Sequence, residues 1–391
     1  MSTELLRTLL ASLEAEIPAA VALRELLHAN PEPSNAEHGT SRLLAETLDT
    51  SRIEPIAGTG LLAHAGPPRG RAVAVRAELD ALPIREQTGA SFAAENGLMH
   101  ACGHDVHMAA LVALFRAARR AEESLDEPVL ALYQPSEETY PSGAQAIVRE
   151  EARVGDISAV VAAHVHPDLP WGSVSVEPGP VNASCDYLRI TLAGSGGHGA
   201  YPHRARDPIL ALSHVIVALQ SLVSRRLDPM HPGVFSVGWT RAGSAENVIP
   251  ESAEAGATLR ALYPEDRAPL REAALEIVEA TARAHGCAAR VEVTEGEPAT
   301  VNDPALAEAA RALIPEAGFE PAPPLRSCGS DDFGFYGALA PALMVFVGLD
   351  GAPNTQGLPL HHPRFLPPPG AVGAVARAQA LALAAGQHAT P

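Results

Sequence analysis

The sequence predicts an α/β protein in which a smaller α+β domain interrupts the main sheet. Three observations carry this. Short apolar runs recur along the chain: RAVAVRAEL (71–79), PVLALY (128–133), ISAVVAA (157–163) and PALMVFVGL (341–349), each the length of a buried strand. An amphipathic helix, MAALVALFRAARRAEE (108–123), separates the first two, and such alternation argues for a sheet with helices on both faces. The stretch from about Ala183 to Glu295 has a pattern of its own. At roughly 150 residues per domain, 391 residues leave room for two or three domains.

Within the interrupting stretch, DYLRITLA (186–193) reads as a strand, followed by a glycine loop and the helix DPILALSHVIVALQSLVSRR. Asp207 is a suitable N-cap, Pro208 takes the first helical position, and Arg225 and Arg226 complement the C-terminal dipole. GVFSVGWTRA and EAGATLRALYP are two further strands, and REAALEIVEATARAHG is a second helix closed by Gly286. The expected order is two strands, a helix, two strands and a helix. The expected boundaries are 1–182 and 296–391 for a discontinuous outer domain, and 183–295 for the insertion. No internal repeat is visible, and PAPPL (321–325) and PPPG (367–370) read as local loops.

Composition excludes several functions. Acidic residues outnumber basic ones 46 to 28, giving a net charge of −18, so a nucleic-acid partner is not expected. The chain contains no lysine. That absence rules out a Schiff-base lysine, a lysine-anchored pyridoxal cofactor and a GK[ST] phosphate loop. All 28 cations are arginines, suited to bidentate carboxylate recognition. Four cysteines (Cys102, Cys185, Cys287, Cys328) are too few and too spread to staple the chain, which points to a reducing, cytoplasmic setting. No apolar run reaches the ~18 residues of a membrane span, so no membrane partner is expected. The N-terminal MSTELLRTLLASLEAEIP carries Glu4, Glu14 and Glu16 among its leucines, unlike a signal peptide.

The chemistry concentrates in four segments. HACGHDVH supplies His100, Cys102, His104, Asp105 and His107, residue types that bind a borderline-soft divalent metal. Alone, this cluster reads equally well as polar capping of the helix that follows. QPSEETY places Glu137 and Glu138 directly after PVLALY. Adjacent side chains diverge, so one carboxylate can ligate while the other handles a proton; a lone Glu-Glu pair is more often a solvated loop. His164-Val165-His166 follows ISAVVAA, and His361-His362 comes shortly after PALMVFVGL. A single histidine is more often structural than a ligand. Four such segments, each expected just beyond a buried strand, change that balance, because open α/β sheets bind ligands at that edge. Five or six N, S and O donors exceed one tetrahedral ion, so two neighbouring metals are expected.

GSGGHG (194–199) matches G-x-G-x-x-G but fails as a dinucleotide site. Its helix starts only at Asp207, and no acid follows before Asp228. The alternatives are a plain turn, or glycines that let the backbone pass close to a ligand while His198 projects toward it.

Together these segments resemble the aminoacylase/hippurate hydrolase family of dinuclear metallopeptidases, on the branch that includes auxin-conjugate amidohydrolases. The resemblance runs from LRELLHANPEPSNAE through RAELDALPI, HACGHDVHMAAL, QPSEE, HVHP, GGHGAYPHRARDPI and LQSLVSRRLDP to NVIPESAEAGATLR, GSDDFGFY and LHHPRF. It implies a zinc-peptidase-like catalytic domain, a mixed sheet sandwiched by helices, plus an inserted α+β lid and dimerisation domain. It implies metal ligands Cys102, His104, Glu138, His164 and His361, with Glu137 as general base. His198 corresponds to an oxyanion-stabilising residue, in relatives often contributed across a dimer interface. Asn247 and Arg260 correspond to substrate-binding positions, Arg260 for the substrate carboxylate. The implied activity is metal-dependent hydrolysis of N-acyl amino acids by a homodimer holding two divalent ions. Zinc suits the donor set, with manganese, cobalt or nickel as alternatives. A metallo-dipeptidase or carboxypeptidase on the same scaffold is the competing activity, and a catalytically silent ligand-binding relative the competing class. Departures from the family pattern are Asp331 for the usual Glu, Glu78 for Asp, Val106 for Gly, and Thr139 for Gly followed by Tyr140.

Overall fold

The computed structural model describes residues 2–48, 50–68, 70–352 and 357–387. The chain divides into two compact units. One comprises Met1–Val181, Val301–Leu325 and Asp332–Pro391; the other comprises Asn182–Thr300 and Arg326–Asp331.

The first unit opens with three helices, α1 (Ser2–Leu13), α2 (Ile17–Ala29) and α3 (His38–Leu48). Strands β1 (Ile53–Ile56), β2 (Gly60–Ala65) and β3 (Ala72–Glu78) follow, then α4 (His104–Arg120) and β4 (Val129–Gln134). Two short helices, α5 (Gly143–Arg149) and α6 (Glu151–Val154), lead to β5 (Ile157–Pro170), β6 (Ser173–Ser175) and β7 (Gly179–Asn182). The second unit contains β8 (Ser184–Ala193), β9 (Gly197–His198), α7 (Pro208–Leu219), β10 (Gly233–Ala242), β11 (Val248–Ile249), β12 (Ser252–Ala261), α8 (Pro264–Ala284) and β13 (Ala288–Glu295). After β14 (Thr300–Asn302) the first unit resumes with α9 (Pro304–Leu313), β15 (Glu320–Pro321), β16 (Ala342–Asp350) and α10 (Gly370–Gly386).

Eight strands of the first unit form one mixed sheet in the order β1-β2-β4-β3-β5-β16-β6-β15. Its centre is parallel: β3 pairs β4 and β5, and β5 pairs β16, all in the same direction. Parallel strands covered on both faces need apolar side chains throughout, and β3, β4 and the first half of β5 are buried at every position. Helices α1, α2, α4 and α10 form the larger core on one face; α5 and the segment 332–338 close the other. This is the expected sheet sandwiched by helices.

One charge sits in the middle of that sheet. Arg76 of β3 is 1% exposed, yet Nη2 donates to Asp332 Oδ1 at 2.6 Å, Nε to Gln134 Oε1 at 2.9 Å, and Nη1 to Glu78. A buried guanidinium left without such acceptors would cost several kcal/mol.

In the second unit, α7 and α8 pack on one face of a four-stranded antiparallel sheet ordered β10-β12-β8-β13. Two strands, β8 and the two-residue β9, precede α7 as expected; the order differs in the short β11 between β10 and β12 and in β13 after α8. In β13, an edge strand, Ala289, Val291 and Val293 alternate as half-buried positions and none is fully buried. Helix α8 begins seven residues earlier than expected, since Pro264 occupies a first-turn position and Pro269 is accommodated near the start. Asp207 caps α7 by accepting from the Ile209 and Leu210 amides, as its sequence position suggested. The helix stops at Leu219, however, and a π-helical turn, Leu222–Arg226, completes the segment. Ser221 donates to the Ala218 carbonyl, a local bond that competes with the helical ladder.

Candidate metal centre

Four pieces of chain deliver the five proposed ligands of the first unit. Cys102 and His104 bracket Gly103 at the start of α4. Gly103 has φ 90°, and a Cβ there would lie 2.7 Å from Val165 Cγ2, so only glycine lets α4 begin this close to β5. Glu137 and Glu138 follow the end of β4. His361 has φ 65°, and its amide donates to the Ala101 carbonyl at 2.9 Å, which ties its loop beside Cys102. His164 departs from the expectation. It lies inside β5, because pairing with β16 continues through His166 and resumes at Pro170.

These side chains converge. Cys102, His104 and His164 bring one donor atom each to within 4.8 Å of one another; so do Cys102, Glu138 and His361, and so do His104, Glu137 and Glu138. The three clusters share Cys102, His104 and Glu138, so all six residues form one continuous donor set. Cys102 Sγ is 3.5 Å from His164 Nε2, and Glu138 Oε1 is 3.4 Å from His361 Nε2. Glu137 Oε2 lies 3.9 Å from His104 Nε2.

The hydrogen bonds around the histidines leave ligating atoms exposed to the cluster. His104 Nδ1 donates to the Asp80 carbonyl at 2.9 Å, and His164 Nδ1 donates to the Val165 carbonyl at 2.7 Å. Both rings therefore carry their proton on Nδ1 and turn an Nε2 lone pair inward, the arrangement of metal-bound imidazoles. His104 Nε2 and Glu138 Oε1 are buried atoms that make no hydrogen bond. Such orphaned atoms cost free energy unless a ligand satisfies them. Burial would lower the His104 pKa, but Asp80, Glu78 and Glu138 outweigh it and push it up to about 10. The carboxylates here hold a positive charge in place, and a divalent cation supplies that charge as well as a proton does. Burial, reinforced by His107, keeps His164 neutral, as a ligand must be. The residues present thus fit a divalent-metal pair.

Several contributors have no role assigned from the sequence, although Asp105 and His107 stand in the same cluster as Cys102 and His104 there. Asp80 Oδ2 accepts from Ser34 Oγ at 2.6 Å and from the Glu138 amide at 2.9 Å, while its carbonyl orients His104. Burial would raise the Asp80 carboxyl, but His104, Ser34 and the Glu138 amide outweigh it and hold it at about 2. His107 joins Glu78 to β5, and Asp105 joins His28 to Arg24. The signal was a surplus: RAELD and HDVH carry more acids and histidines than a ligand set needs.

The remaining candidates lie in the second unit. His198 of β9 pairs with Val248 of β11, and the Gly199 amide donates to the Asn247 carbonyl at 2.7 Å, so His198 and Asn247 are neighbours. The Ala200 amide donates to His198 Nδ1, which leaves the ring proton on Nε2. The glycines of GSGGHG approach the chain itself rather than opening a path for a ligand. A Cβ on Gly194 would lie 2.1 Å from the Arg206 carbonyl oxygen, and one on Gly199 would lie 3.1 Å from that of Asn247. Arg260 Nη1 donates to the Cys328 carbonyl at 3.2 Å and to Ser330 Oγ at 3.3 Å.

Comparison with known proteins agrees with this architecture. Residues 74–383 match the model of peptidase family M20/M25/M40. N-acetyl-L-cysteine deacetylase of Bacillus subtilis is 34% identical over 361 residues, covering 91% of this chain and 84% of that protein. IAA-amino acid hydrolase ILR1-like 4 of Arabidopsis thaliana is 34% identical over 357 residues, covering 88% and 80%. The crystal structure of a dinuclear metal-binding peptidase of the M20 family from Bacillus subtilis superposes with a TM-score of 0.82 at 30% identity, covering 95% and 98%. With more than three-quarters of its length matched, this chain belongs to peptidase family M20/M25/M40.

Proposed function

We propose that this protein is a metal-dependent amidohydrolase that cleaves N-acyl amino acids to a carboxylic acid and a free amino acid. The observation that carries the proposal is the continuous donor set of Cys102, His104, Glu138, His164 and His361 with Glu137 beside it. Two divalent ions held there, zinc by donor type or manganese, cobalt or nickel by availability, would supply Lewis acidity toward a carbonyl and a water. Cys102, His104, Glu138, His164 and His361 would hold that pair. Glu137 takes the proton from the attacking water at its carboxylate and returns it to the departing nitrogen. His198, with its proton on Nε2, is assigned as donor to the developing oxyanion. Arg260 is assigned to the free carboxylate of the amino acid, which a guanidinium can grip with two parallel bonds. Asn247 is assigned to the substrate beside His198. The names of the deacetylase and amino acid hydrolase relatives support acyl amino acids as substrates.

A carboxypeptidase reading is kept as the alternative, because thermostable carboxypeptidase 2 of Saccharolobus solfataricus is 31% identical over 354 residues, covering 88% of this chain. Homodimerisation through the second unit as a lid and dimerisation domain is favoured by α7, whose Ile209, Leu210 and Val217 are 43%, 49% and 73% exposed. A cytoplasmic location is favoured by the absence of disulfides among the described residues, none of whose helices is long and apolar enough to cross a membrane.

The test is a metal-reconstituted screen of N-acetyl and N-benzoyl amino acids against dipeptides and peptides, with released amine as readout. Activity on the acyl amino acids that a chelator abolishes and added metal restores is the expected result. Faster turnover of peptides with a free α-amino group would transfer the assignment to the peptidase.

A further inference from the structure

The segment PSNAE (33–37), between α2 and α3, supplies no metal donor, yet its polar groups reach the loop that carries Glu137 and Glu138. Glu37 is the centre of these contacts. It is 0% exposed, and its Oε1 accepts from the Ser136 amide at 2.8 Å and from the Asn35 amide at 3.0 Å. Its Oε2 accepts from Thr59 Oγ1 at 2.6 Å. A buried carboxylate is costly unless donors satisfy it. Here the donors come from the segment itself, from the turn between β1 and β2, and from the loop after β4.

Ser136 is bound at every polar group. Its amide donates to Glu37, and its carbonyl accepts from the Gly143 amide at 2.8 Å. Its Oγ accepts from Asn35 Nδ2 at 2.9 Å and shares a hydrogen bond of 2.8 Å with Thr139 Oγ1. With φ 53°, Ser136 occupies the left-handed region that residues bearing a side chain seldom enter. Such a conformation persists where its surroundings over-determine it, and these bonds do so. Two residues on, the Glu138 amide donates to Asp80 Oδ2 at 2.9 Å, an atom that also accepts from Ser34 Oγ of the same segment at 2.6 Å. Glu137 thus stands between two pinned residues. Thr139, where the resembled family usually has glycine, is exposed, and its hydroxyl joins the two ends of the 136–139 loop.

Adjacent carboxylates can take separate roles only if the backbone between them keeps one direction. We propose that Glu37 and Thr139 are positioning residues for the Glu137–Glu138 pair. Glu37 fixes the Ser136 amide, and the Asn35–Ser136–Thr139 chain of hydrogen bonds closes the loop, so that Glu138 keeps its aim at the donor set and Glu137 its place beside it. The inference rests on the reading of Glu138 as a ligand and Glu137 as the base. Removing the Thr139 hydroxyl frees one end of the loop without opening the core, because the residue is exposed. Removing the Glu37 carboxylate frees Ser136 itself. A reacting group displaced by about 1 Å can lose about 10²-fold in rate, and partners that orient metal ligands commonly carry about 10–100-fold in affinity.

Thr139→Val and Thr139→Ser are compared with wild type by kcat and KM at saturating metal, by chelator competition and by thermal unfolding. Thr139→Val should lower kcat about tenfold with KM within about twofold of wild type, and weaken one of the two metal equivalents by about tenfold. Thr139→Ser, which keeps the hydroxyl, should restore both, and both variants should unfold at the wild-type temperature. Asn35→Gly, which suits the φ of 65° and removes the other end of the chain, should match Thr139→Val. Glu37→Leu should weaken metal binding by about 10–100-fold, and Glu37→Gln, which keeps an acceptor for the Ser136 amide, should recover most of it. Wild-type kcat and metal affinity in Thr139→Val, no rescue by Thr139→Ser, or wild-type metal affinity in a folded Glu37→Leu protein would overturn the proposal. Should Glu37→Leu fail to fold, the Thr139 comparison decides alone. A wild-type protein that binds metal but hydrolyses no amide would remove the proposed function instead, and the metal affinities of the variants would still decide the positioning role. A wild-type protein that binds no metal would overturn both.

Discussion

His107 donates from Nδ1 to Glu78 Oε2 across 2.8 Å, and its Nε2 accepts from the Val165 amide at 3.1 Å. One imidazole thus joins β3 and β5 immediately beside His164, while Arg76 balances the Glu78 charge from behind. Partners of this kind fix the aim of a ligand without touching the metal, and their loss commonly costs 10–100-fold in metal affinity. His107→Leu is therefore expected to lower the affinity for the second equivalent of metal by about that factor. His107→Gln, which keeps a donor toward Glu78, should recover part of it. Competition against a fluorescent chelator measures the affinity, and circular dichroism of both variants separates misaimed ligands from a disturbed fold.

Glu137 lies on the rim of the donor set rather than in its sulfur and imidazole core, 3.9 Å from His104 Nε2. Glu137 is assigned the proton transfer and not a place among the metal ligands. Glu137→Gln should keep full metal stoichiometry by elemental analysis and lose about 10²-fold or more in kcat. Near-normal turnover in that variant would move the general base elsewhere.

Arg260 is held by the Cys328 carbonyl and Ser330 Oγ, so its guanidinium has a fixed direction. Hydrogen bonds to charged groups contribute about 1.5–3 kcal/mol. Arg260→Ala should raise KM about tenfold or more for N-acyl amino acids and change little for their C-terminal amides. A parallel loss on both substrate sets, measured by initial rates, would remove the carboxylate-anchoring role.

The legible and illegible parts of this protein divide along physical lines. The central strands were visible because parallel strands buried on both faces favour continuous apolar runs, as VLALY in β4 and ALMVFVGL in β16 are. Helix α7 was visible from Asp207 and Pro208, which act only on their own neighbours. The edge strand β13 was not: Val291 and Val293 alternate with Arg290, Glu292 and Thr294 only briefly, and none of its positions is fully buried. At the centre, cysteine, histidine and glutamate advertise themselves by type. Asp80 does not: its function depends on a backbone carbonyl toward His104 and a carboxylate toward the Glu138 amide, contacts made only once β3 and β4 are paired.

Stability should carry a signature of the buried pair behind α4. His28 is fully buried between Asp105, 2.9 Å from Nδ1, and Glu86, 3.1 Å from Nε2, with Arg24 donating to the same Asp105 oxygen at 2.6 Å. Burial pulls the His28 pKa down, but the Asp105 charge and the hydrogen bonds to Asp105 and Glu86 outweigh it and raise it from 6.5 to about 9. A group whose folded pKa lies above its unfolded value binds a proton more tightly in the native state. Its contribution is complete below pH 6.5 and disappears as the pH rises through about 9. At about 1.4 kcal/mol per pKa unit, the contribution is about 3 kcal/mol. His28→Asn should thus be most destabilising near pH 6, with the gap to wild type narrowing by that amount toward pH 9.5. Urea unfolding of both proteins across this range, at fixed metal concentration, measures the gap. A difference that stays constant with pH would mean that His28 is neutral in the native protein and that Arg24 alone balances Asp105.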